Sequence, residues 1–123
     1  MHIQESGEMY LEAIYVLTKK MGNVRAIDVS QHLGYSKPSV SRAMGILKSG
    51  GYITIDENSH IHLTEEGHSV AEKIYERHDV LSQMLMFLGV PEEIATEDAC
   101  RLEHAISDES FAAIKAHFAQ YKK

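Results

Sequence analysis

Residues 27–53 read IDVSQHLGYSKPSVSRAMGILKSGGYI, and the order of start and stop signals along them decides the fold. Val29 and Leu33 lie four apart on one face of a short helix that Gly34 ends. After a three-residue turn, Gly34-Tyr35-Ser36, Ser36 is placed to cap a second helix. Pro38 falls in its first turn, where a missing N–H costs nothing. Val40, Met44 and Leu47 form its apolar face to about Lys48, and Ser49-Gly50-Gly51 breaks it. Two short helices joined at a glycine, the second opening on small polar and basic residues, form a helix-turn-helix pattern.

On either side the reading extends by periodicity. Upstream, Tyr10, Leu11, Ile14, Tyr15 and Leu17 recur at helical spacing from about Gly7 to Lys20, with Ser6 as the expected cap and Gly22 as the stop. Downstream, Tyr52, Ile53 and Ile55 read as a strand and Asp56-Glu57-Asn58-Ser59 as a turn. Ile61 and Leu63 alternate with His60 and His62 as a second strand. This hairpin is the expected wing. Thr64 caps a long helix, from about 65 to 88, whose apolar stripe is Val70, Ala71, Ile74, Tyr75, Leu81 and Leu85. Two more helices follow, about Glu92 to Ile106 and a last one capped by Asp108. The expected fold class is mainly α. Residues 1–64 make a winged helix-turn-helix domain, and 65–123 make a helical domain sharing the long helix.

The net charge of −6 is unevenly spread. Lys19, Lys20, Arg25, Lys37, Arg42 and Lys48, against Asp28, give residues 19–50 a balance of +5. Residues 1–18 carry −3 and residues 51–123 carry −8. A basic island on a helix-turn-helix is the electrostatic footprint of nucleic-acid binding. Ser36, Lys37, Pro38, Ser39, Ser41 and Arg42 lie near the N-terminal end of the second helix, with Arg25 and Lys48 flanking it. Helix N–H groups and serine hydroxyls suit phosphates, an arginine suits guanine, and a proline can meet a thymine methyl. The competing reading is a solvated face on a protein-interaction winged helix.

No apolar run approaches the length of a membrane span, and the start lacks the layout of a signal peptide, so the expected location is cytoplasmic. One cysteine excludes an internal disulfide. Cys100, Glu103 and His104 fall at i, i+3 and i+4, one face of a helix, and their donor types all bind transition metals. The opposed reading is a buried small Cys with an exposed Glu and His. Met9, Glu12 and His78 offer further donors, each of which is more ordinary as a core or surface residue. His60 and His62 share a strand face, a solvated face in the plainer reading and a metal-binding one in the other. An enzyme using Cys100 and His104 lacks a glycine-rich oxyanion loop and an orienting third residue, so no enzymatic activity is expected. A regulator sensing an oxidant through Cys100, or sensing a small molecule, is the alternative function.

The segments EMYLEAIYVL (8–17), SKPSVSRAMGILKSGGYI (36–53), LTEEG (63–67), ERHDVL (76–81) and ACRLEHAISDE (99–109) together resemble the iron- and manganese-dependent repressors of the diphtheria toxin repressor / manganese transport regulator family. The resemblance covers essentially the whole chain, with the motifs in the family's order. It implies a homodimer joined through its C-terminal helices that binds operator DNA when loaded with a divalent metal. It implies metal ligation by Met9, Glu12, His78, Cys100, Glu103 and His104. Met9 and Cys100 match the iron-type members, whereas manganese-type members have Asp and Glu there. Glu12 matches the manganese type. Ser82 and Thr96 stand where the iron type places a Glu and a His for a second site, which points to a hybrid site. Fe²⁺ is therefore the expected effector, Mn²⁺ the alternative, and Co²⁺, Ni²⁺ or Zn²⁺ are expected substitutes in vitro. Longer members add a third domain, which a chain ending at Lys123 is expected to lack. No small-molecule substrate and no membrane partner are expected.

Overall fold

A computed structural model describes residues 5–121, with side chains over 6–120. Its elements run α1 (Glu5–Met21), α2 (Ala26–Leu33), α3 (Lys37–Ser49), β1 (Ile53–Ile55), β2 (Ile61–Leu63), α4 (Glu65–Phe87), α5 (Glu92–Ala105) and α6 (Asp108–Tyr121). The chain forms two compact units, Met1–Lys73 and Ile74–Lys123, so the division falls within α4.

In the first unit, Leu11, Ile14, Val29, Val40, Met44, Leu47 and Ile53 close one core with Val24, Ile61 and Ala71. These are the apolar stripes of α1 and α3 with the inward residues of the hairpin. Burial of that surface is the main term favouring the fold. Gly34 ends α2 in the left-handed region, at φ 74°, with its N–H donating to Ser30 O at 2.9 Å. The buried Ser30 hydroxyl then donates to Tyr35 O at 2.6 Å, closing the turn between the two helices. Ser36 Oγ accepts from Ser39 N at 3.3 Å, the expected cap of α3.

β1 and β2 pair antiparallel, in register Ile53↔Leu63, Thr54↔His62 and Ile55↔Ile61. A single bridge joins Val24 to Ile61. Thr64 Oγ1 donates to Gly51 O at 2.7 Å and accepts from Gly67 N at 3.1 Å, tying the start of α4 to the base of the hairpin. At Gly67 the backbone comes so close to Tyr52, just before β1, that an added Cβ would lie 2.0 Å from Tyr52 O. Only glycine fits there.

The second unit packs Leu81, Ala99 and Phe111 together, with Val80, Met84, Ile106 and Ile114 against them. Arg77 is buried and replaces apolar packing with a polar tie. Its Nη1 donates to Glu103 O at 3.1 Å and to Ile106 O at 2.6 Å. Its Nη2 pairs with Asp108. These carbonyls lie at the end of α5, where no helical N–H remains to meet them.

Two cap assignments are corrected. Ser6 lies inside α1 rather than before it, so the cap of that helix falls outside the described residues. The side chain that accepts an N–H at the start of α6 is Ser107, from Ser110 N at 3.1 Å. Asp108 is drawn to Arg77 instead.

Candidate metal centre and nucleic-acid interface

The sequence-level alternatives for the CxxEH segment make opposite claims about burial. The plainer one requires a buried Cys with an exposed Glu and His. The structure has the reverse. Cys100 is exposed, Glu103 is fully buried at 0%, and the His104 side chain is 3% exposed. A carboxylate removed from water is costly unless a cation or strong donors face it.

The donors converge in the second unit. α4 presents His78, and α5 presents the other three from successive turns. His78 Nδ1 lies 2.9 Å from Glu103 Oε2 and 3.7 Å from Cys100 Sγ. His104 Nε2 lies 3.3 Å from Glu103 Oε1. The donor atoms of His78, Cys100 and Glu103 all fall within 4.8 Å of one another. Thiolate, imidazole and carboxylate together are a donor set for a borderline transition ion, not for Mg²⁺ or Ca²⁺. The residues therefore fit such an ion on chemistry and on spacing. Arg77 sets this geometry from beneath, since it grips the backbone carbonyl of Glu103 itself. The sequence reading passed over it. The one available signal was an arginine next to His78, one turn from the apolar residues Ile74 and Leu81.

Met9 and Glu12 lie on α1, in the first unit, both partly buried. Met9 Sδ accepts a hydrogen bond from the Tyr35 hydroxyl at 3.3 Å, and the Tyr35 and Tyr10 rings meet edge to face at 5.9 Å. Burial, and secondarily the facing Tyr35, raises the Tyr10 pKa above its usual value. Met9 thus joins α1 to the turn of the helix-turn-helix.

The second cluster of candidate residues is a surface. Lys37, Pro38, Ser39, Ser41, Arg42 and Lys48 on α3, Ser36 before it and Arg25 before α2 are all exposed. The opposite face of α3 is spent on Val40, Met44 and Leu47 in the core. Arg25 N donates to Asp28 Oδ2 at 2.9 Å, which fixes the start of α2 with its basic side chain in solvent.

Residues 2–61 match the domain described as iron dependent repressor, N-terminal DNA binding domain. Residues 64–123 match the iron dependent repressor metal binding and dimerisation domain. The transcriptional regulator MntR of Salmonella typhimurium is 35% identical over 120 residues, 98% of this chain and 76% of that protein.

The chain belongs to the iron-dependent repressor family.

A Methanocaldococcus jannaschii protein described as an uncharacterised helix-turn-helix-type regulator is 33% identical over 98% of both chains. Among solved structures, the manganese regulator SloR superposes with a TM-score of 0.82 at 26% identity, over 100% of this chain and 56% of that one. A manganese-dependent transcriptional repressor in complex with manganese gives 0.83 at 26% identity, over 92% and 52%. The chain thus spans about half the length of these solved structures. This family member is one of a group of metal-dependent transcriptional regulators, not an enzyme. Its mainly helical, winged helix-turn-helix fold is that of its relatives.

Proposed function

We propose that the chain is a homodimeric repressor that binds operator DNA when a divalent transition metal occupies a site built from Met9, Glu12, His78, Cys100, Glu103 and His104. The observation that carries this reading is the buried Glu103 carboxylate set between two imidazoles beside an exposed thiol. Met9 and Glu12 enter from the family resemblance. The bound ion supplies positive charge that offsets the carboxylates of Glu12 and Glu103. His78 joins α4 to α5 through Glu103, and Met9 and Glu12 extend the ligand set to α1. Linking the DNA-reading domain (1–64) to the dimerising domain (65–123) in this way fixes the separation of two α3 helices. Half-sites in successive major grooves lie about 34–36 Å apart, so that separation controls affinity. Ser36, Lys37, Ser39, Ser41 and Lys48 hold phosphates, Arg42 and Pro38 read base edges, and Arg25 contacts the flanking backbone. Exposed Phe87, Leu88, Ile94 and Leu102 support a self-association face in the second domain. A protein acting on the chromosome acts in the cytoplasm.

The donors divide on the metal. The thioether of Met9 and the thiolate of Cys100 favour Fe²⁺, with Co²⁺, Ni²⁺ and Zn²⁺ as substitutes. Glu12 and the manganese named in the relatives' descriptions favour Mn²⁺. We place Fe²⁺ first on donor softness.

The test is binding of the purified chain to operator-like DNA, followed by anisotropy, with chelator and then with Fe²⁺ or Mn²⁺ under anaerobic conditions. Tight binding only with metal supports the reading, and the ratio of the two responses decides the ion. Metal-dependent binding that survives Glu103→Ala with His104→Ala overturns the site. Binding that ignores chelator but responds to peroxide supports instead a sensor acting through Cys100, whose thiol is exposed.

A further inference from the structure

Tyr35 lies at the surface, 40% exposed, yet it is held at its backbone, its ring and its hydroxyl. The backbone is clamped to Ser30 from both sides. Tyr35 N donates to Ser30 O at 3.2 Å, and Tyr35 O accepts from the Ser30 hydroxyl at 2.6 Å. The ring stands edge to face with the buried Tyr10 ring, centroids 5.9 Å apart. The hydroxyl donates to Met9 Sδ at 3.3 Å. All of these partners lie in the first unit, so a fixed arm runs from the turn of the helix-turn-helix to α1.

The contact with sulfur is not explained by the stability of the fold. A thioether is a weak acceptor, and a phenol at the surface has water as a stronger partner. Exchanging that water for sulfur contributes little net stability. What the contact does is restrict Met9. A methionine side chain turns about three bonds and adapts to many shapes, and a donor seated on its sulfur removes much of that freedom. The sulfur has two lone pairs, so a hydrogen bond to one leaves the other for a ligand.

We propose that Tyr35 is a positioning residue for the metal centre, its hydroxyl holding the Met9 thioether ready to take the ion. This rests on the ligand role given to Met9 in the reading above, and adds the residue that orients that ligand. A ligand ordered beforehand loses less freedom when the ion binds, and partners that orient a ligand are worth about 10–100-fold in metal affinity. The orienting residue also stands beside Ser36, the cap of α3. The ligand on α1 and the start of the DNA-reading helix are thereby tied through one side chain.

The experiment is a double-mutant cycle on the full chain, with Tyr35→Phe, Met9→Leu and the two combined. Co²⁺ affinity is read by absorption in competition with a chelator, under anaerobic conditions. Phenylalanine keeps the ring against Tyr10 and removes only the donor. Tyr35→Phe is expected to weaken Co²⁺ binding about tenfold in the wild-type background and less than about twofold in the Met9→Leu background. In the metal-free chain the methyl ¹³C resonance of Met9, identified by its absence from Met9→Leu, is expected to shift with Tyr35→Phe, while the melting temperature stays nearly unchanged. Equal losses of affinity in the two backgrounds overturn the proposal, because the hydroxyl then acts by another route. So does a Met9 resonance that does not move, or a Tyr35→Phe chain that melts earlier but binds Co²⁺ as before. Met9→Leu with unchanged Co²⁺ affinity removes Met9 from the ligand set and the proposal with it. A loss with Met9→Leu and none with Tyr35→Phe leaves the ligand set standing and overturns the proposal alone.

Discussion

Gly67 is the residue whose identity is most tightly dictated. A methyl group there would overlap Tyr52 O, so α4 would have to lift from the hairpin. Gly67→Ala is expected to lower stability by about 3 kcal/mol in chemical denaturation, well beyond an ordinary helix substitution, where alanine stabilises. Arg77 is comparable. Removing its guanidinium takes a donor from the carbonyls of Glu103 and Ile106 and an ion-pair partner from Asp108. Arg77→Ala is expected to cost about 3 kcal/mol, and also to weaken metal binding by moving Glu103. Arg77→Ala with unchanged metal affinity would show that α5 and the His78 contact hold Glu103 without it. Asp56 gives a pH dependence with a definite sign. Its carboxyl titrates near 2 in the folded wing, against about 3.9 in an unfolded chain. The unfolded state therefore binds the proton first on acidification. The stabilisation is complete above about pH 4 and is lost as the pH falls towards 2. Asp56→Asn should remove that part of the acid dependence, read from melting temperatures across the window.

At the scale of the element, α5 shows how spacing becomes a site. Positions i, i+3 and i+4 placed Cys100, Glu103 and His104 on one face in the sequence. The face is not uniform, however. Its Glu103 edge turns inward to 0% exposure while Cys100 stays at the surface. Cys100 thus occupies the position where an exchange of donor can alter ion preference without disturbing packing. Cys100→Glu is expected to raise the Mn²⁺ response relative to Fe²⁺ by about tenfold or more in DNA-binding titrations. It should leave the melting temperature of the apo protein nearly unchanged. α3 divides its faces more simply. Val40, Met44 and Leu47 face the core, and the polar residues between them face solvent.

For the whole molecule, charge distribution outweighs net charge. The −6 total conceals a +5 stretch over residues 19–50, and three of its basic residues, Lys37, Arg42 and Lys48, lie exposed on α3. Operator affinity should fall steeply with salt, because phosphate contacts release counterions. Lys37→Ala is expected to weaken binding to all DNA sequences and to reduce the salt slope by about one. Arg42→Ala should instead cost discrimination at one base pair, about 1–3 kcal/mol. Metal and DNA affinities should rise together by the same factor, which titrations in both orders can compare.

The sequence alone determined the elements and their order, because apolar periodicity, glycine stops and Ser or Thr caps act over a few residues. It also named a candidate set of donor residues, through a family resemblance carried by motifs whose joint order is more specific than any one of them. Tertiary structure alone decided what depends on residues distant along the chain. Glu103 and the His104 side chain are buried where Cys100 is exposed, and His78 from α4 meets the Glu103 carboxylate. Asp108 is paired with Arg77, some thirty residues earlier, while Ser107 beside it caps α6. Gly67 is obligatory because the Tyr52 backbone passes against it. Asp56 meets His62, and His60 more loosely, because a turn reverses the chain after Asp56. Burial and close approach are properties of the assembled core, and no local pattern encodes them.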